Sequence, residues 1–180
     1  TMTLCLLLTG CAGADKTMQP ALDLRAALLD AGGCTFTADV TADFGETTFS
    51  FTANCAYTPE KTRVEICSPD VLAGVAATIT DDGASIEFDG VVLELGQLAG
   101  GHLAPLAVPH ILAACWAGEY IRAAGHEEDG TRVTYLRGYE EEELTVETLL
   151  SDDGVPSSAD ISYGGTAAVS AAITDFTYQK

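Results

Sequence analysis

Positive charge is scarce in this chain: 8 Lys and Arg stand against 27 Asp and Glu, for a formal net charge of −19. A surface so poor in cations repels phosphates, and it lacks the basic patch that nucleic-acid binding requires. Histidine is also sparse. His102, His110 and His126 lie far apart, with no His-x-x-x-His pair on one helix, and this spacing excludes the common zinc patterns. No Gly-x-Ser-x-Gly elbow and no phosphate loop occurs, so no catalytic residue is assigned and an enzyme is not expected. No metal and no cofactor is expected either. Long uninterrupted apolar runs are missing too. The one stretch without Asp, Glu, Lys or Arg, Gly96 to Gly118, is broken by Pro105, Pro109 and several glycines, which argues against a transmembrane span.

What is present is apolar patterning. At 180 residues and 47% hydrophobic, the chain is long enough for one domain with its own core and too apolar to be disordered. Pro20 to Ala31 reads as an amphipathic helix. Pro20 suits a first turn, Ala21, Leu24, Leu28 and Ala31 form one stripe, and Gly32-Gly33 ends it. From Cys34 to Phe44, and again from Phe49 to Tyr57, apolar residues alternate with Thr, Ser, Asp and Asn. That period of two across Gly45 predicts a long hairpin with one buried and one wet face.

A third strand follows, with Val64 and Ile66 inward. Asp-Gly pairs at 82–83, 89–90, 129–130 and 153–154 then punctuate strand-like segments. Asp-Gly supplies the positive φ of tight turns, so the reading is an antiparallel meander, with turns preferred over calcium sites. Pro109 to Trp116 reads as a buried helix. A final hairpin turns at Gly164-Gly165, and the apolar parity of its last strand switches between Ile173 and Phe176, which predicts a bulge near Thr174-Asp175. His126 with Glu127 and Glu128 reads as a solvated turn. Glu140–Glu143 reads as a solvated strand start, or alternatively as a docking patch for a basic partner.

Four cysteines follow Cys11. If Phe44-Gly45 is the hairpin loop, facing residues have numbers summing to 89, and Cys34 lies opposite Cys55 on the apolar face; a disulfide is therefore expected there. Cys67 has the opposite parity to Val64 and Ile66, and its pairing and that of Cys115 stay open.

Thr1 to Gly10 is apolar and uncharged, and Leu8-Thr9-Gly10-Cys11 resembles a bacterial lipobox. The resemblance implies a signal-peptide remnant over 1–10 and diacylglyceryl attachment at Cys11. A tether over 11–18 and a domain over 19–180 would follow, placing the protein outside the cytoplasm on a bacterial membrane. A second resemblance rests on two stretches. Tyr57-Thr-Pro-Glu-Lys-Thr-Arg-Val-Glu-Ile66 is similar to a Pro-x-x-x-Arg third strand. Ser151-Asp-Asp-Gly-Val-Pro156, with Asp160-Ile-Ser-Tyr163 and Ile173-Thr-Asp-Phe176, is similar to a Gly-h-Pro turn and closing strands. Both are features of the LolA/RseB-like superfamily. The resemblance implies an α+β fold in which a strongly curved antiparallel sheet, a half-barrel, wraps a helical plug behind an N-terminal helix.

The expected function is the binding of a lipid, acyl or other hydrophobic ligand at the cell envelope. The sheet residues expected to line such a pocket are Phe36, Val40, Phe49, Phe51, Tyr57, Val64, Ile66 and Phe88. From the uncharged stretch, Ile111, Leu112 and Trp116 are added. The alternative is an anchored interaction module that senses or activates an envelope partner, such as a signalling protein or cell-wall hydrolase.

Overall fold

The computed structural model describes residues 15–43, 48–80, 82–95, 104–138, 143–164 and 166–179. The sequence expectations for Cys11 and its neighbours, His102 and Glu140–Glu142 lie outside these residues.

Helix α1 spans Asp15–Ala31 and buries Ala21, Leu24 and Leu28, the stripe that the period of 3.6 marks out. Its start is a correction. The helix takes in residues 15–18, read above as tether, and Pro20 falls in the second turn rather than the first. Proline there leaves the Lys16 carbonyl without its usual helical donor. Gly32, at φ 72°, ends the helix as expected, and the Gly33 N–H donates back to the Leu28 carbonyl at 3.1 Å.

Eleven strands follow: β1 (Cys34–Asp43), β2 (Thr48–Thr58), β3 (Lys61–Ser68), β4 (Ala76–Thr80), β5 (Gly83–Phe88) and β6 (Val91–Leu95) before the second helix. After it come β7 (Tyr120–Glu127), β8 (Gly130–Arg137), β9 (Leu144–Leu150), β10 (Pro156–Tyr163) and β11 (Thr166–Tyr178). They form one antiparallel sheet in the order β6-β5-β4-β3-β2-β1-β11-β10-β9-β8-β7. Two sequential meanders are thus joined at the β1–β11 pair, and β6 and β7 are the edges. Between β6 and β7 in the chain, the described residues form a 3₁₀ turn at Pro105–Ala107 and helix α2 at Val108–Ala117. Eight of the ten α2 residues are buried, as an apolar surface all round the helix demands.

The turns obey their chemistry. Asp89 (φ 50°) and Gly90 (φ 77°) both adopt the left-handed conformation of a two-residue hairpin turn. In β11 the register against β1 slips by one residue between the Thr35–Thr177 and Thr37–Thr174 pairs, and Asp175 has φ 53°. This is the bulge that the parity switch predicts, and it turns Phe176 and Tyr178 toward the core.

The β1–β2 register corrects the disulfide expectation. Cys34 faces Tyr57 and Cys55 faces Phe36, so facing numbers sum to 91, and residues 44–47 connect the strands. A shift of two leaves every side chain on its predicted face, so alternation could not reveal it. The two cysteines become diagonal neighbours, typically about 7–8 Å apart, beyond easy bridging. Both are free, as are exposed Cys67 and buried Cys115, so the expected Cys34–Cys55 bridge does not form. Burial pushes the Cys34 and Cys115 thiols up to about 12, and Cys55 up as well, with Cys34 and Cys67 adding to the rise at Cys55.

Candidate hydrophobic site

The inner face of the sheet divides at β1. On the β11–β7 side, space is filled. Trp116 from α2 is fully buried, its ring 5.3 Å from Phe36 and 6.0 Å from Phe176, and its indole N–H donates to Thr148 Oγ1 on β9 at 3.0 Å. Arg25 of α1 donates to the main-chain carbonyls of Trp116, Cys115 and Glu119, satisfying acceptors at the C-terminal end of α2 and tying the two helices together. Arg137 holds the Glu119 carboxylate at 2.8 Å. Tyr135, Val133, Val146, Leu150 and Ile161 complete this side.

On the β2–β5 side a cavity of about 400 Å³ remains. Phe49, Ser50 and Phe51 of β2 and Ile66 of β3 form one wall; Ala77 and Ile79 of β4, with Ala84 and Ile86 of β5, form the next. Leu72 and Val75 come from the β3–β4 connection, and Ala104, Pro105 and Leu106 from the start of the α2 segment. Ser50 is the sole lining residue with a polar side chain. The cavity exists because its floor is built from alanines at inward positions, whereas β8 and β9 carry Val, Tyr and Leu at theirs.

Of the residues read from sequence, Phe51 and Ile66 line this cavity and are buried, and Phe49 stands at its mouth, 47% exposed. The others require correction. Phe36, Val40, Tyr57, Val64, Leu112, Trp116 and Ile111 are buried in the packed core and do not line the void, because Trp116 and its neighbours fill the space. Phe88 has the inward parity but lies past the end of the cavity, 51% exposed. Sequence reasoning missed the alanine floor and Leu72. The one available signal was small residues at inward positions of β4 and β5, which alternation scores as buried without regard to volume.

Several polar groups elsewhere pair with one another. Glu127 bonds Arg132 through both carboxylate oxygens, which lowers its pKa and raises that of Arg132. His126 contacts the Thr131 hydroxyl at 3.5 Å, and His110 shares a hydrogen bond with Thr62 at 2.9 Å. Among the described residues no three His, Cys, Asp or Glu gather as a metal site, and no helix is long and apolar enough to cross a membrane.

An open, all-antiparallel sheet with an N-terminal helix and a buried helix between its edge strands in the chain defines an α+β fold. Against solved structures, the chain matches a domain described as outer membrane lipoprotein-sorting from Vibrio parahaemolyticus at TM-score 0.51 and 9% identity, covering 93% of this chain and 94% of that one. It also matches a LolA superfamily protein from Nitrosomonas europaea (TM-score 0.47, 9% identity, 91% and 94% covered). A third match is the Mycobacterium tuberculosis lipoprotein LppX (TM-score 0.40, 12% identity, 88% and 95% covered). No family model and no curated protein matches the sequence. The fold is LolA-like.

Proposed function

We propose that this protein is a non-enzymatic module of the bacterial envelope that holds an acyl chain or a similar hydrophobic ligand in the β2–β5 cavity. The carrying observation is a cavity of about 400 Å³ whose lining is apolar but for Ser50. That volume lies in the range of small-molecule sites. Each methylene moved from water into such a lining contributes about 0.8 kcal/mol. A single chain therefore offers enough to offset the cost of association.

Curvature of the sheet supports the same reading. Helix α2 touches β2, β3 and β8. On a flat sheet β3 and β8 would lie about 29 Å apart at the usual strand spacing, against a helix length of about 15 Å. A sheet bent round α2 as a half-barrel reconciles these contacts and leaves a mouth on the β2–β5 side. The lipobox-like Leu8–Cys11 supports anchoring through a diacylglyceryl group on Cys11, with the domain close to the membrane.

Lipid extraction and mass spectrometry of protein purified from a bacterial envelope tests the binding. A reproducible stoichiometric lipid or fatty acid is expected. A clean protein that also fails to take up a fluorescent acyl probe contradicts it. Intact mass tests the anchor, and Cys11→Ser is expected to lose the added mass.

The large negative charge favours a second reading, an anchored module that docks a basic envelope partner. Such a partner co-purifies at low salt and is lost as salt rises.

A further inference from the structure

The meander places the β3–β4 connection and the β5–β6 turn at one end of the sheet. Apolar side chains protrude at this end. Val71 is 80% exposed, Val91 60% and Phe88 51%. Phe88 and Val91 face each other across the β5–β6 pair, and Phe88 shares the parity of Ala84 and Ile86, so both continue the cavity's wall beyond its mouth. Val71 is presented by a braced turn rather than a loose loop. Leu72 N–H bonds the Pro69 carbonyl at 2.9 Å, Gly74 N–H the Ile66 carbonyl at 3.0 Å, and Val75 N–H the Leu72 carbonyl at 3.1 Å.

We propose that this apolar rim (Val71, Phe88 and Val91) docks on a zwitterionic lipid surface, placing the mouth of the cavity against the bilayer. The proposal rests on the reading that the cavity holds an acyl chain, since a chain passing between bilayer and cavity would then never cross water. Charge selects the occupant. Residues 69–74 and 87–91 contain no Lys or Arg, and Glu87 is paired with Arg63 at 3.9 Å. Asp70 and Asp89 remain exposed beside the rim. These carboxylates disfavour anionic headgroups, and a second copy would set the same carboxylates and a net −19 against themselves. A neutral bilayer interface meets neither penalty, and shallow insertion of a few apolar tips suits it.

Trp116 is buried, so a tryptophan introduced at the rim reports on its own surroundings. In the full chain, Val71→Trp and Val91→Trp are expected to shift to shorter emission wavelength with phosphatidylcholine vesicles and to be quenched by brominated chains. Glu60→Trp, in the turn at the opposite end, should do neither. Added phosphatidylglycerol should weaken the response. Val71→Asp should reduce vesicle affinity at least about tenfold, while acyl-probe binding without vesicles is unchanged. Equal responses at residues 60 and 71, or unchanged vesicle affinity in the Asp variant, overturn the docking. A dimer broken by the Asp variant, with no vesicle response, assigns the rim to a second copy instead. Loss of probe binding in the unsubstituted chain strikes the cavity reading and leaves the rim result standing on its own.

Discussion

The two halves of the sheet use the same alternating pattern to different ends. From β11 to β7 the inward positions carry Ile173, Ile161, Val146, Tyr135 and Val133, and α1 and the Trp116 end of α2 close over them. From β2 to β5 the inward set narrows to Ala53, Ala77 and Ala84 between larger neighbours; α2 touches β2 and β3, and the cavity itself is faced by Ala104, Pro105 and Leu106. Filled and hollow halves differ by a few side-chain volumes, which shows how a packed fold can reserve space without giving up its hydrophobic pattern.

The sharpest way to break the contrast is to hollow the filled half. Trp116→Ala removes the largest buried side chain and is expected to lower stability by about 3–5 kcal/mol in denaturant unfolding. Gly130→Ala comes next. Gly130 has φ 143°, and a Cβ there would collide with the Leu150 carbonyl. A loss of about 2–4 kcal/mol is expected, read as a lower midpoint with an unchanged slope.

The buried thiols lie near the seam and give a pH test. Their native pKa values stand above the ordinary value of 9.0, so above pH 9 the unfolded chain releases protons that the native state keeps. Stability therefore falls as pH rises from about 9 toward 12, by up to about 1.4 kcal/mol per pH unit for each such thiol. Cys34→Ala should flatten that slope. Below pH 9 these groups should have no effect. In the native protein, thiol reagents should label Cys67 quickly and Cys34, Cys55 and Cys115 only on unfolding. The smallest effect is expected from Tyr135→Phe. The Tyr135 hydroxyl is buried and has no hydrogen-bond partner among the described residues. Its removal should change stability by less than about 1 kcal/mol, whereas Thr148→Val, which strands the Trp116 N–H, should cost about 1–3 kcal/mol.

Local signals carried much of the architecture. Alternation located β1, β2 and β11, the Asp89-Gly90 and Asp153-Gly154 pairs located turns, and the parity switch at Thr174-Asp175 located a bulge. What alternation could not supply was register and volume. A two-residue slip of β1 against β2 is invisible to a period of two, and it separated Cys34 from Cys55. Phe36, Val40 and Trp116 were read as pocket lining because a buried apolar residue has the same sequence signature beside a void or beside another side chain. Phe49, Phe51 and Ile66 proved to be at the void because Ala104, Pro105 and Leu106 face it there in place of α2 side chains, a tertiary fact that their own segments do not encode.

Filling the hollow half tests the account most directly. Ala77→Leu places three added carbons on the cavity floor, where open volume can receive them with little change in stability. Equilibrium titration with a fluorescent fatty acid is expected to show saturable one-to-one binding in the unsubstituted chain and at least about tenfold weaker binding in Ala77→Leu, with both equally stable. Equal affinity in the two proteins, or no saturable binding in either, would contradict the assignment of the cavity as the ligand site.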